Sequence, residues 1–89
     1  MKAIITVLGK DKVGIIANVS HILSNADVNI LDISQTILQE YFTMIMLVDL
    51  SKSTKPFNDL KTLLEEAGKE LELSIKIQHE DIFNSMHNV

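Results

Sequence analysis

The chain has 89 residues, a formal charge of −4 and 46% hydrophobic side chains, with one Tyr, three Phe and no Trp, so it makes one domain with an aliphatic core. The absence of cysteine excludes disulfides, zinc–thiolate sites and thiol catalysis, and fits a reducing, cytoplasmic setting. All eight basic residues are lysines; an acidic chain without arginine lacks both the electrostatic footprint of a nucleic-acid binder and any bidentate guanidinium clamp.

Lys2 to Leu8 reads as a strand rich in β-branched residues that ends at Gly9. Its apolar core, Ala3 to Leu8, is too short to span a membrane, and no small-residue cleavage site follows it, so neither insertion nor export is expected. The stretch GKDKVGIIANVSHIL begins as a phosphate-binding loop does, with Gly9 and Gly14 five positions apart. A P-loop continues with Lys and then Ser or Thr, which hold phosphate and Mg²⁺; here Ile15 and Ile16 follow. Nucleotide hydrolysis thereby loses its chemistry, and what remains is a helix entrance whose free amides can hold an anion.

From that entrance Ile15, Ile16, Val19, Ile22, Leu23 and Ala26 recur at helical spacing, with Asp11 placed to cap the first turn. Asn25, Ala26 and Asp27 supply a turn. Val28 to Leu38 and Tyr41 to Leu50 then form an antiparallel hairpin about Gln39 and Glu40. The polar segment Ser51 to Pro56 leads into a second helix, whose first turn accommodates Pro56. Phe57, Leu60, Leu63, Leu64, Ala67 and Leu71 form its buried face, and Gly68 weakens or ends it. Lys61 and Lys69 are placed for i,i+4 pairs with the acidic face of Glu65, Glu66, Glu70 and Glu72. Leu73 to His79 alternates as a strand with one wet face.

The order βαββαβ is that of the ferredoxin-like α+β sandwich, a four-stranded antiparallel sheet carrying two helices on one face. Strands one and three are then central, and both are apolar on both alternating faces, Ile4 and Leu8 against Ile5 and Val7, and Phe42, Met44, Met46 and Val48 against Ile45 and Leu47, while the helices cover one side and leave the other open. Either a partner subunit or the tail beyond residue 79 must cover that side. The tail, residues 80–89, places Ile82, Phe83, Met86 and Val89 at helical spacing: a short third helix on one reading, a frayed terminus on the other.

This fold hosts unrelated functions, and the residues exclude several. A copper-chaperone relative needs a CxxC pair, an acylphosphatase-like enzyme needs an arginine in the first loop, and an RNA-recognition module needs stacking aromatics on strand one. None is present. His79, Asp81 and His87 follow no metal-ligand spacing, and His21 has no nucleophile or carboxylate placed with it; both groups read as surface polar residues. No metal, cofactor or catalytic residue is expected.

DKVGIIANVSHILSNADVNI, Asp11 to Ile30, resembles the ACT-domain signature, carried here by Asp11, Lys12, Gly14, Val19, Leu23, Asn29 and Ile30. The general similarity runs from Val7 to about Ile77, making residues 1–79 the ACT domain. The segments DISQTILQEYFTMIMLVDL and HEDIFNSMH are similar to a subgroup of small stand-alone bacterial ACT proteins. The resemblance implies a non-catalytic regulatory module that binds an amino acid or similar small carboxylate between the loop before helix one and strand two of a neighbouring domain. The expected site is Asp11, Lys12, Val13, Gly14 and Ile15 of one chain with Asn29 and Ile30 of another, in a homodimer or higher homo-oligomer. The alternative is a ligand-free dimerisation or protein-interaction domain. Gly14 itself has two readings, close approach of a ligand to the backbone or close packing of helix one on the sheet.

Overall fold

The structure, a computed structural model, describes residues 1–82. Its elements run β1 (Lys2–Lys10), α1 (Ile15–Asn25), β2 (Asn29–Leu38), β3 (Tyr41–Asp49), α2 (Phe57–Leu71) and β4 (Leu73–His79). The strands form one antiparallel sheet in the order β2-β3-β1-β4, which puts β1 and β3 at the centre as the two-faced apolar pattern requires. This is the ferredoxin-like sandwich. Residues 80–82 are helical; the expectations for Phe83, Met86, His87 and Val89 lie outside the described residues.

Strand alternation decides what the core contains. Ala3, Ile5 and Val7 of β1 lie opposite Val48, Met46 and Met44 of β3, so all six share the face under the helices. Val19 and Leu23 of α1 and Leu60 and Leu64 of α2, each 0% exposed, close over them. Truncating any one of these leucines to alanine in such a core costs about 2–5 kcal/mol. On the opposite face Leu8 and Ile45 remain 51% and 40% exposed, whereas Ile4 is buried.

Strand β2 forms one edge of the sheet and changes phase along its length. Ile30 pairs with Val48, but Asp32 pairs with Leu47, so Leu31 is an extra residue in a β-bulge. The slip moves Ile33 and Ile37 opposite Met46 and Phe42, onto the helix side, where the helices do not fully cover them.

Four local expectations are corrected. Strand β1 continues two residues past Leu8, because Gly9 pairs with Phe42 on one side and Leu73 on the other and Lys10 pairs with Tyr41. Pro56 sits outside the first turn, as the flanking residue of α2, with its extended ψ of 155°. Gly68 does not end α2, which runs on to Leu71 and stops at Glu72 in the left-handed conformation. The glycine is needed for contact: a Cβ at Gly68 would stand 2.8 Å from the Leu73 carbonyl oxygen and 3.3 Å from Ile75 Cγ1, so α2 lies tight against β4 only because residue 68 has no side chain. Finally, Lys61 and Lys69 close no ion pair with the acidic face. Among the described residues the one ion pair is the Met1 amino group with Asp49, at 3.7 Å, as expected where solvated side chains gain little from pairing.

Candidate ligand-binding site

The loop before α1 is anchored to the far hairpin. The Asp11 backbone N–H donates to the Glu40 carbonyl at 2.8 Å, fixing the loop against the turn that joins β2 to β3. Asp11 does not cap the helix. The residue flanking the first turn is Gly14, three positions later, in the left-handed conformation at φ 92° and ψ 1°, and no side chain caps the entrance. The Gly14 carbonyl is held instead, accepting the Asn18 backbone N–H at 2.9 Å and its side-chain amide at 2.8 Å. With no acidic residue in the first turn, the amides at the mouth of α1 keep their partial positive charge.

The geometry also says why residue 14 is glycine. A Cβ there would meet only Asn18 Nδ2, at 3.4 Å, so crowding is slight. The positive φ is what disfavours any other residue. Of the expected residues, Asp11, Lys12, Gly14 and Ile15 line a small cavity of about 190 Å³ with Ile16, Ala17 and Phe42. Val13 is fully exposed and stands outside it.

Asn29 and Ile30 lie elsewhere. They line a wider groove of about 690 Å³ at the other end of α1, together with Ser20, Ser24, Asp27 and Lys52. Eleven helical residues at about 1.5 Å each keep the two ends of α1 roughly 16 Å apart, with the loop residues at one end and Asn29 and Ile30 beyond the other. One chain therefore does not bring the seven residues together. The groove residues other than Asn29 and Ile30 escaped the sequence reading: Asp27 was visible as a turn residue only, and nothing in the linear order of Lys52 points towards the end of α1. Phe42 was missed as a wall of the loop cavity because it reads as an ordinary core residue of β3.

The remaining polar candidates are committed locally. His21 Nε2 lies 3.0 Å from the Asn25 amide on the exposed side of α1. The His79 ring stacks on Phe57 with centroids 4.2 Å apart and planes 17° from parallel, at the start of α2. Asp49 accepts the Ser51 N–H at 2.9 Å, and that bond holds its carboxyl below the ordinary carboxylate value, helped by the Ser51 side chain and the nearby amino terminus.

The chain is thus an α+β domain of the ferredoxin-like class, with an uncapped helix entrance at one end of α1 and a polar groove at the other. The chain belongs to the ACT domain family, whose model matches residues 2–78. It is 70% identical over 89 residues to a UPF0237 protein of Clostridium acetobutylicum, with both chains covered in full. A UPF0237 protein of Methanocaldococcus jannaschii is 48% identical over 88 residues, covering 99% of this chain and 98% of the relative, so the similarity extends beyond bacteria. Among solved structures, an ACT domain protein from Streptococcus pneumoniae is similar with a TM-score of 0.80 and 49% identity over 93% of each chain. ACT domains are regulatory small-molecule-binding modules.

Proposed function

We propose that the protein is a non-catalytic, cytoplasmic regulatory module that binds an amino acid or a similar small carboxylate at the interface of a homodimer. The observation that supports this reading is that the two clefts lie towards opposite ends of β2, an edge strand whose outer side pairs with nothing among the described residues. Antiparallel pairing of β2 with a second copy, centred on the strand, sets Asn29 of one protomer beside Leu38 of its partner. Leu38 runs directly into Gln39 and Glu40, and Glu40 holds the Asp11 loop. The groove at Asn29 and Ile30 then faces the partner's loop of Asp11, Lys12, Val13, Gly14 and Ile15, and symmetry makes the site twice.

Energetics require both walls. A helix entrance attracts a carboxylate by about 0.3–1 kcal/mol, or about 2 when partly buried, whereas micromolar affinity needs about 8. The exposed Asn29 adds an amide able to donate and accept towards a zwitterion. Self-association has its own drive: Ile33 and Ile37, 42% and 57% exposed, would be covered in both copies. Half-burial of four such side chains is worth about 3–6 kcal/mol, which is comparable with the lower part of the association cost of about 4–15 kcal/mol. Binding and dimerisation are therefore coupled, and ligand strengthens the dimer.

The non-catalytic reading is supported by the missing arginine and cysteine, together with the absence of the phosphate-loop Lys and Ser/Thr after Gly14. The cytoplasmic reading is supported by the missing cysteine, and no helix among the described residues is long and apolar enough to cross a membrane. The deciding experiment is a thermal-unfolding screen of the free amino acids. A saturable rise, about 2.7 kcal/mol at a hundredfold excess over Kd, supports the ligand reading. Asn29→Ala should then weaken binding without lowering the melting temperature of the free protein. No stabilisation by any of them leaves the ligand-free dimerisation domain, which the exposed Ile33 and Ile37 favour.

A further inference from the structure

Two turns that are distant in sequence meet at the far end of α1. The chain leaving that helix turns at Asp27, whose φ is +56° and whose backbone N–H donates to the Ser24 carbonyl at 3.1 Å. The turn after β3 carries Lys52, and two residues on the Thr54 N–H donates to the Ala26 carbonyl at 2.9 Å, tying that turn to the one at Asp27. Asp27 and Lys52 both line the groove of about 690 Å³ that also holds Asn29 and Ile30. Both are exposed, and among the described residues neither closes an ion pair. A carboxylate and an ammonium thus share one groove without neutralising each other. A left-handed turn is open to Asn, Gly or Asp, so the backbone at residue 27 does not itself require a carboxylate. The last turn of α1 has no basic residue, so its carbonyl end keeps a partial negative charge. An ammonium is favoured beside Asp27 on both counts, and Lys52 is the group of the groove that attracts an anion.

We propose that the ligand is a dicarboxylic amino acid, aspartate or glutamate, and that Asp27 and Lys52 are the residues that select it. The inference rests on the dimer-interface reading above and narrows the ligand of that same site. In that arrangement the partner's helix entrance, with its unpaired amides, takes the α-carboxylate. Asp27 and the carbonyl end of α1 take the α-ammonium, and Lys52 takes the side-chain carboxylate. Asn29 lines the same groove and can donate to either carboxylate. Rival ligands each leave one charge unanswered. A neutral amino acid has nothing for Lys52, a basic one sets a second ammonium against it, and a dicarboxylate without an amino group has nothing for Asp27.

The test is calorimetry on the full chain with L-aspartate and L-glutamate, with their near-isosteric amides asparagine and glutamine, and with succinate and glutarate, which keep both carboxylates but have no amino group. The wild type should bind one acidic amino acid about tenfold or more tighter than its amide, and tighter than the matching dicarboxylate by a similar factor. Lys52→Gln should bring acid and amide to nearly equal affinity, and Asp27→Asn should remove the advantage over the dicarboxylate. Both positions are exposed and asparagine tolerates the left-handed turn, so the variants fold. An amide bound as tightly as its acid, or a preference for the acid that survives Lys52→Gln, overturns the proposal and leaves the wider amino-acid reading standing. An ammonium preference unchanged in Asp27→Asn overturns it as well. So does an acid preference that is lost in Lys12→Gln instead, which would put the selecting cation in the partner's loop. Saturable binding of no amino acid at all sinks the wider reading and this one with it.

Discussion

Residue 14 offers a stability series whose order follows from one backbone angle. At φ 92° an L-residue suffers the left-handed penalty of about 1–2 kcal/mol, which outweighs the roughly 0.4–1 kcal/mol gained by restricting the unfolded chain when glycine becomes alanine. Because the nearest atom to an added Cβ is Asn18 Nδ2 at 3.4 Å, crowding contributes little, and the whole cost is conformational. Gly14→Ala should therefore lose about 1 kcal/mol, lowering Tm by about 4–8 °C in a domain of this size. Gly14→Asn should lose less, since asparagine visits the left-handed region more readily, and Gly14→Val, stiff at χ1, should lose about 2–3 kcal/mol. Urea and thermal unfolding of the four proteins give the order Gly, Asn, Ala, Val. An alanine variant as stable as the wild type, or an asparagine variant no better than alanine, would refute the conformational account. The same series governs how the ligand site is probed. Valine, the natural steric block, confounds lost binding with lost stability, whereas asparagine places a side chain at the mouth of the loop at small cost to the fold.

Gly68→Ala should destabilise by about 1–3 kcal/mol although it raises helix propensity by about 1, because the new Cβ meets the Leu73 carbonyl, a backbone atom with little room to move; a gain in stability would mean that α2 is free to shift on β4. Ile33→Asp combined with Ile37→Asp should give a monomer by sedimentation with an unchanged circular dichroism spectrum, since both side chains are about half exposed; an unaltered dimer would place the interface elsewhere. For Asp49 the folded carboxyl titrates below its ordinary value of 3.8, so its contribution is complete above that value and disappears as pH falls through the lowered one. Melting temperatures of the wild type and Asp49→Asn should accordingly differ at neutral pH and converge below pH 3.8, and a gap persisting in acid would show that the Ser51 turn does not depend on the charge.

The fold was legible because its signals are periodic and local. Ile15, Val19 and Leu23 repeat at helical spacing, and Leu73, Ile75 and Ile77 alternate, and all six are core residues in the structure. The two-residue turn at Gln39 and Glu40 likewise sets the pairing of Leu38 with Tyr41. What the sequence hid depends on dihedral angles and on contacts between distant residues. Asp11 has the chemistry of a cap, but a cap is defined by where the helix starts, and the left-handed turn at Gly14 postpones that start beyond its reach. Gly68 looks like a helix terminator because its reason for being glycine, the Leu73 carbonyl, belongs to the next element. The bulge at Leu31 has no compositional mark in a run of strand-forming residues, yet it decides that Ile33 and Ile37 face the helix side.

The site poses a different problem of scale. Asp11 to Ile30 is a compact motif in sequence, twenty residues that read as one unit, but most of it is a rigid helix that keeps its two ends roughly 16 Å apart. A small carboxylate and its hydrogen-bonding shell are far shorter than that, so one chain cannot close the motif on a ligand. In the proposed dimer such a motif encodes the complementary halves of two sites, and β2, which starts at one half and ends at the turn that holds the other, has the length and, among the described residues, an outer edge without a pairing strand to bring a second copy's halves into register. If β2 sets both the partner and the pocket, as proposed, any change that shifts its register, deletion of Leu31 above all, should disturb dimerisation and ligand affinity together.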